Sequence, residues 1–150
     1  MEATRNSLVI LMVDDDEEDR MLTKDALIES RVPGDLRFAT DGEELLDYLR
    51  HLGRYRPPHD PPRPGLILLD LNMPRKDGRE ALREIKTDPD LRTIPVIVLS
   101  TSRAREDIER CYNLGANSFI TKPATFSSLV HAMSALGHYW ADVVQLPTGT

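Results

Sequence analysis

The chain has a single cysteine, Cys111, in 150 residues, and one thiol cannot form a disulfide within the chain. Its first residues, Met1 to Asn6, lack the basic segment followed by an apolar one that is typical of a signal peptide. Long hydrophobic runs are missing too, because the longest, Leu8–Val13, is far below the roughly 20 residues that a membrane-spanning helix needs. We therefore expect a soluble, cytoplasmic protein that does not enter the membrane.

Positive charge is also scarce and is not concentrated. Lysine and arginine number 19 against 25 aspartate and glutamate residues, which gives a formal net charge of −6. Proteins that bind nucleic acid usually gather basic residues on one face, so we expect no direct binding of DNA or RNA. A chain of 150 residues with 40% hydrophobic content predicts one domain over 1–150, with a core at about 8–137 and a carboxy-terminal extension at 138–150.

The hydrophobic pattern predicts five strands that alternate with helices. Short, continuous apolar runs are typical of strands buried on both faces of a parallel sheet, whereas shorter and partly polar runs are typical of edge strands. Apolar residues three or four positions apart between them indicate helices, so the fold class is α/β, with a doubly wound, five-stranded parallel sheet. The buried strands are Leu8–Val13, Leu66–Leu69 and Pro95–Leu99, the edge strands are Leu36–Ala39 and Ser118–Thr121, and the helical repeats include Leu45 with Leu49, Leu82 with Ile85, Ile108 with Tyr112, and Leu129 with Met133, Leu136 and Trp140.

Two segments fall outside this alternation. Residues 54–64 contain five prolines, which cannot lie inside a helix or a central strand, so we expect an exposed loop there; a proline-rich ligand for another protein is the alternative. The tail from His138 to Thr150 carries more apolar side chains than a solvated terminus should, among them Tyr139, Trp140 and Leu146.

Polar residues follow the apolar strands at the points where the strands are predicted to end. In an open parallel sheet, these ends share one edge, where ligands bind. We therefore expect the side chains that follow the strands to converge. They are Asp14, Asp15 and Asp16 after the first strand, Asp70 after the third, Ser100, Thr101 and Ser102 after the fourth, and Lys122 and Pro123 after the fifth.

This set of residues predicts phosphate chemistry. Carboxylates from two strands would repel each other at one edge without a cation, and hard oxygen ligands suit Mg²⁺ that keeps some of its waters. A carboxylate nucleophile, a metal ion that bridges phosphoryl oxygens, and a lysine and a hydroxyl as donors are the parts that phosphoryl transfer requires.

Each feature also has a purely structural interpretation. The acidic run that begins at Asp14 can be only the negatively charged first turn of a helix. Asp70 can be a solvated carboxylate at a strand end, Ser100 a turn residue, and Lys122 a surface residue. The functional interpretation depends on the coincidence of all of them at one edge.

Together, these motifs strongly resemble the CheY-like receiver domains of response regulators in two-component signalling. The likeness runs from about Leu8 to Met133 and implies the flavodoxin-like receiver fold with strand order 2-1-3-4-5. Its motifs are Val13-Asp14-Asp15, Leu69-Asp70-Leu71-Asn72-Met73-Pro74, Asp77-Gly78, Ser100, Gly115-Ala116 and Lys122-Pro123.

The resemblance implies that Asp70 accepts a phosphoryl group from a phosphohistidine on a sensor histidine kinase. Asp15 and Asp70 would bind Mg²⁺ directly, the backbone carbonyl of Asn72 would be the third protein ligand, and Asp14 would act through water. The protein would not be an enzyme in the ordinary sense, although it would assist its own phosphotransfer and dephosphorylation.

The resemblance also implies a switch. Lys122 would pair with the phosphoryl oxygens, helped by a cis peptide bond before Pro123, and Ser100 would move to donate a hydrogen bond to one of them. Phe119 stands where the family more often has a switching tyrosine, and a plain core position is the alternative for it.

Finer features resemble the single-domain response regulators associated with bacterial phytochromes. These features are the proline-rich insertion before Leu66, the segment from Asn117 to Pro123, and the closing stretch from Tyr139 to Pro147. They imply a light-sensing histidine kinase as the partner and a homodimer through the fifth helix and the tail. The alternative is a tail that folds back onto its own domain.

The function expected from these resemblances is that of a stand-alone response regulator without a DNA-binding output domain, which signals by partner binding or by phosphorelay. Two other functions are open. A Mg²⁺-dependent phosphohydrolase would need a small hydroxyl residue after an acidic pair, which Asp14 and Asp16 lack. A degenerate receiver that only scaffolds would not need every motif position filled.

Overall fold

A computed structural model of the protein describes residues 8–147. The segment from Met1 to Asn6, on which the prediction about a signal peptide depends, lies outside the described residues, and so do residues 148–150 at the end of the predicted tail. Among the described helices, none is both long enough and apolar enough to cross a bilayer.

Five parallel strands form one sheet in the order β2-β1-β3-β4-β5, which confirms the predicted topology. The fourth strand starts one residue later than predicted and includes Ser100. Pro95 has no N–H group to donate to the strand ladder, although its carbonyl accepts a hydrogen bond from Ile67 at 3.0 Å. The strands are β1 Leu8–Val13, β2 Gly34–Ala39, β3 Leu66–Leu69, β4 Val96–Ser100 and β5 Ser118–Thr121.

Five α-helices connect or follow the strands. Four of them begin after a residue whose side chain accepts a hydrogen bond from a backbone N–H of the first turn; these capping residues are Asp16, Asp41, Asp77 and Thr125. Such caps fix where a helix begins, and here they end the loops that carry the polar residues. The helices are α1 Glu17–Glu29, α2 Gly42–Arg50, α3 Gly78–Thr87, α4 Arg105–Asn113 and α5 Phe126–Gly137, with a 3₁₀ turn at Gly53–Tyr55 and a π-helical turn at His138–Val143.

The central strands β1, β3 and β4 bury both faces, and alternate residues enter two separate cores. Leu11 and Val13 of β1 point to a core built with α2, α3 and α4, whereas Ile10 and Met12 point to a core built with α1 and α5. This period of two is the side-chain alternation of a strand. Because both cores are apolar, the central strands appear in the sequence as continuous hydrophobic runs.

The proline-rich segment is an exposed loop, as predicted, and it is tied to the domain. The hydroxyl of Tyr48 in α2 donates a hydrogen bond to the carbonyl of Pro62 at 3.0 Å. At the start of the loop, the Tyr55 hydroxyl donates to the Glu44 carboxylate at 2.8 Å. The loop therefore rests against α2.

The tail past α5 packs against its own domain over part of its length. Trp140, Ala141 and Leu146 are half-buried against the core on the α1 and α5 side. A methyl group placed at Gly65 would lie 3.1 Å from Cδ1 of Leu146, so the tail reaches the start of β3. Tyr139 and Val143 stay largely exposed, at 51% and 68%.

Candidate functional site

The strand register brings the predicted site residues to one edge of the sheet. Val13 lies opposite Leu69, and Leu69 lies opposite Val98, so β1, β3 and β4 end at nearly the same level. Ser100 pairs with Thr121 at the end of the next strand pair. The residues that follow these strand ends therefore emerge together.

Three carboxylates meet at this edge. Asp14, Asp15 and Asp70 each offer an oxygen, and these atoms all lie within 4.8 Å of one another. Asp14 and Asp70 are almost fully buried, with 1% and 8% of their surfaces exposed, whereas Asp15 is exposed. Two buried carboxylates and one open to water can hold a hard divalent cation that keeps part of its hydration shell.

Burial makes the negative charge of this cluster costly. Desolvation by burial raises the pKa of Asp70 to about 6. The positive charge of Lys122 acts to lower this pKa, whereas the negative charge of the nearby Asp14 raises it further. Desolvation also raises the pKa of Asp14, although the Asp16 backbone N–H and the Lys122 side chain oppose the shift. Carboxylates whose charge is penalised in this way gain stability from an added cation, so the donor set fits a divalent metal ion.

Lys122 supplies the positive charge next to these acids. Its Nζ lies 3.0 Å from Asp14 Oδ2, 3.0 Å from Asp19 Oδ2 and 3.8 Å from Asp70 Oδ1. Burial alone would lower the pKa of Lys122, but the hydrogen bond to Asp19 and the charges of Asp70 and Asp14 raise it, so the ammonium stays charged.

The predicted cis peptide bond before Pro123 is wrong: the bond between Lys122 and Pro123 is trans. Within residues 8–147, the cis peptide bond of this structure joins Pro57 and Pro58 instead. Lys122 reaches the acids without it, because its backbone N–H continues the strand pairing by donating to the Ser100 carbonyl at 2.7 Å. That contact anchors the backbone from which the lysine side chain extends toward the acids.

Asp19 is a contact of Lys122 that the sequence analysis missed. It lies in the first turn of α1, three residues after the capping residue Asp16. The signal was present in the acidic run that follows β1, but its last member was assigned no role. Which acid of that run reaches the lysine depends on the docking of α1 against β5, a contact between residues 103 positions apart.

Ser100 and Phe119, the two residues of the predicted switch, lie in different environments. Ser100 is fully buried, and its Oγ accepts a hydrogen bond from the Ser102 backbone N–H at 3.1 Å. Phe119 is half-buried against the core formed with α2, α3 and α4, and its backbone N–H donates to the Tyr112 hydroxyl at 3.1 Å. Packing of this kind also agrees with the alternative that Phe119 is a core residue.

The backbone after Asp70 is shaped by close contacts. The backbone N–H groups of Asn72 and Leu71 both lower the pKa of Asp70, because they favour its charged form. Asn72 itself is exposed. Gly78 packs so closely that a Cβ there would lie 2.2 Å from the Asp70 carbonyl oxygen, and its N–H donates to the Leu71 carbonyl at 2.9 Å. Only a glycine fits this approach.

Comparisons with known proteins agree with the fold. Residues 10–134 match the family described as the response regulator receiver domain. Response regulator Rcp1 of Synechocystis sp. (strain ATCC 27184 / PCC 6803 / Kazusa) is 40% identical over 139 residues, which cover 93% of this chain and 92% of that protein.

Two solved structures are similar over nearly the whole chain. The phosphorylated cyanobacterial phytochrome response regulator RcpA is 44% identical and superposes with a TM-score of 0.86, covering 95% of this chain and 99% of that one. The Mn²⁺-bound form of Rcp1 is 40% identical with a TM-score of 0.83, covering 93% of this chain and 99% of that one.

Proposed function

The chain belongs to the family of response regulator receiver domains, and on that premise we propose that it accepts a phosphoryl group on Asp70 from a sensor histidine kinase. The single observation that carries this proposal is the position of Asp70, a buried carboxylate beside the acids after β1 and 3.8 Å from the Lys122 ammonium. An oxygen of Asp70 attacks the phosphorus of a phosphohistidine. The P–N bond breaks, its electron pair stays on the imidazole, and an acyl phosphate forms.

Mg²⁺ is the cofactor that we propose for this site. Asp15, Asp70 and the backbone carbonyl of Asn72 would hold it, and Asp14 would contact it through water. The bound ion supplies positive charge to the phosphoryl oxygens. The carboxylate cluster supports this assignment, as does the similar protein Rcp1, which has been solved with Mn²⁺ bound.

Lys122 and Ser100 would act on the phosphoryl group once it is attached. Lys122 lies 3.8 Å from Asp70 Oδ1, close enough to pair with a phosphoryl oxygen after a small movement. Ser100 would turn its hydroxyl toward another oxygen, and Phe119 would follow it as the switching aromatic residue. A phosphoryl group adds roughly two negative charges and three acceptor oxygens, which is enough to draw both donors inward.

We further propose that the kinase is a phytochrome, because the similar protein RcpA is a cyanobacterial phytochrome response regulator. The signal would pass by partner binding or by phosphorelay. Autodephosphorylation and a cytoplasmic location stay predictions from the sequence. Transfer of phosphate from purified phytochrome kinases to this chain is the direct test, and transfer from unrelated kinases alone would contradict the phytochrome assignment.

The decisive experiment for Asp70 is intact mass spectrometry after incubation with Mg²⁺ and a small phosphoryl donor. We expect one phosphoryl adduct in the wild type and none in Asp70→Asn. Steady release of phosphate from added monoesters would instead indicate a phosphohydrolase. The absence of any adduct would indicate a scaffold that has lost phosphoryl acceptance.

A homodimer through α5 and the tail is the proposed assembly. Exposed Tyr139 and Val143 support it, since apolar side chains on one surface often mark a contact between copies. The packing of Trp140 and Leu146 against their own domain supports the alternative, a tail that belongs to the monomer. Molar mass in solution with and without residues 138–150 tests the dimer, and a monomer in both cases would contradict it.

A further inference from the structure

The connection between β4 and α4 is held by the side chain of Ser102. The Ser102 hydroxyl donates a hydrogen bond to Asp107 Oδ2 at 2.7 Å and accepts one from the Ala104 backbone N–H at 3.2 Å. The Ser102 backbone N–H donates to Ser100 Oγ at 3.1 Å. Ser102 thus links the buried hydroxyl at the end of β4 to the first turn of α4.

Arg79 of α3 fixes Asp107 from the other side. Its Nη2 lies 3.1 Å from Asp107 Oδ1, and its Nη1 lies 3.3 Å from Asp77 Oδ2. The Arg79 side chain is only 18% exposed. Asp77 caps α3 directly before Gly78, the residue that packs against Asp70. Ser102, Asp107 and Arg79 therefore form a network that joins the loops after β3 and β4.

Unlike the other four α-helices, α4 begins without a side-chain cap from the residue that precedes it. Ala104, at the position before α4, has no side chain that can cap the helix. The Ala104 backbone N–H finds its acceptor in Ser102 instead. Asp107 lies in the first turn of α4, where a carboxylate is favoured. Movement of Ser102 would therefore break its hydrogen bonds to Ala104 and Asp107 at the start of α4.

We propose that Asp107 and Arg79 are positioning residues that hold the Ser100 hydroxyl in its unphosphorylated orientation through Ser102. This inference rests on the proposed phosphoryl acceptance at Asp70. If Ser100 moves toward a phosphoryl oxygen, as proposed, its Oγ leaves the Ser102 N–H unless Ser102 moves with it. The network opposes both changes, because it fixes Ser102 at its hydroxyl.

The consequence is a shift in the equilibrium between the two states. A contact present only in the unphosphorylated state favours that state by its own free energy. Loss of one ordinary hydrogen bond changes an equilibrium about five-fold. Removal of the network should therefore raise the affinity for a phosphoryl group at Asp70 about five-fold.

The test measures the binding of trifluoroberyllate, a stable mimic of the phosphoryl group, by fluorine NMR in the presence of Mg²⁺. We expect Asp107→Ala and Ser102→Ala each to bind the mimic about five-fold more tightly than the wild type. The double variant, with both Ser102→Ala and Asp107→Ala, should bind the mimic no more tightly than either single variant, since both substitutions break the same network. Ser102→Thr keeps the hydroxyl and should restore the wild-type affinity.

Two further measurements separate positioning from a loss of helix stability. Glu106→Ala removes another acidic residue from the same turn of α4 and should leave the affinity unchanged. The amide signal of Ser102, in the absence of metal and mimic, should shift in Asp107→Ala toward its position in the mimic-bound wild type. If Asp107→Ala does not fold, Ser102→Ala and the rescue by Ser102→Thr decide the question.

The outcomes are distinct. Equal affinity in the wild type and Asp107→Ala, or weaker binding in the variant, would overturn the positioning role while phosphoryl acceptance stands. If the affinity for the mimic rises in Glu106→Ala as much as in Asp107→Ala, the positioning role is overturned as well. A wild type that neither binds the mimic nor forms an acyl phosphate would overturn the proposed function, and this inference with it.

Discussion

Gly78 is the residue on which the backbone position of Asp70 most directly depends. A Cβ at this position would lie 2.2 Å from the Asp70 carbonyl oxygen and 2.8 Å from the Leu71 Cα. Both contacts are with backbone, which cannot rotate away as a flexible side chain can, so the loop itself must shift.

We therefore expect Gly78→Ala to lower the free energy of unfolding by about 2 kcal/mol and to slow phosphoryl acceptance at Asp70. Urea unfolding and the rate of adduct formation measure the two effects. Gly34→Ala is the matched control, because the nearest atom to a Cβ there is 3.3 Å away, and it should cost much less. Equal effects in the two variants would show that the contact with Asp70 is unimportant.

The buried charge of Asp70 predicts that this residue lowers stability at neutral pH. Its pKa in the folded protein is about 6, against 3.8 as the ordinary value. Between these two values the folded protein holds a proton that the unfolded chain has released, so stability falls as pH rises through this window. Without a divalent cation, Asp70→Asn should be more stable than the wild type at pH 7 by about 3 kcal/mol.

The extra stability of Asp70→Asn should shrink as the pH is lowered and should vanish near pH 4, which is about the ordinary pKa of an aspartate. Chemical unfolding in the presence of a chelator, repeated across the pH range, gives the curve. Asp25→Asn makes the same change of charge at an exposed position and serves as the control. A difference between Asp70→Asn and the wild type that does not vary with pH would refute the explanation.

At the scale of elements, residues 138–147 of the tail past α5 pack on the folded domain over part of their length. Leu146 contacts the region of Gly65 at the start of β3, and Trp140 packs on the core formed with α1 and α5. The periodicity of α5 predicted that Trp140 continues the helix face, and the structure keeps it helical but in a π turn.

Leu146→Ala should therefore lower the free energy of unfolding by about 1 to 2 kcal/mol, less than for a fully buried leucine. Val143→Ala removes apolar atoms from the same tail, but at a side chain that is 68% exposed, and it should change stability very little. Urea denaturation of both variants checks the prediction. A tail that is not attached to the domain would give the same small effect in both.

The strand ends show which element boundaries the sequence could predict. Leu8–Val13 and Leu66–Leu69 were located to the residue, because their apolar runs stop at charged residues. The fourth strand was placed one residue early, since the apolar run includes Pro95 and stops before Ser100. Ser100 belongs to the strand because it pairs with Thr121 of β5, and this pairing is not visible in a local pattern.

For the molecule as a whole, metal binding should be coupled to folding. Asp14 and Asp15 follow β1 whereas Asp70 follows β3, so the unfolded chain does not hold the three carboxylates together. A ligand that binds only the folded state stabilises it in proportion to the logarithm of its concentration, by roughly 2.7 kcal/mol at one hundred times the dissociation constant.

Mg²⁺ should therefore raise the unfolding temperature of the wild type progressively, and chelation should reverse the rise. The unfolding temperature of Asp15→Asn should rise less with Mg²⁺, because this variant lacks one of the proposed direct ligands. Glu17→Gln, an exposed acid two positions along the chain, should respond as the wild type does. Sodium chloride at matched ionic strength controls for screening, and an equal response to both salts would rule out a specific site.

The sequence by itself determined the order of elements and the edge at which the site lies. Asp14, Asp70, Ser100 and Lys122 each follow a predicted strand, and parallel strands share one carboxyl edge, so their convergence follows from local patterns and one rule of topology. The family motifs added the roles proposed for these residues.

Tertiary structure alone decided the contacts between elements that are distant in the chain. It placed Asp19 on Lys122, made the bond before Pro123 trans, joined Asp107 to Arg79, and packed Leu146 near Gly65. These outcomes depend on how helices dock against the sheet and against each other. Docking depends on how the surfaces of both partners pack together. The type of a single element, strand or helix, can be predicted from the spacing of its own apolar residues.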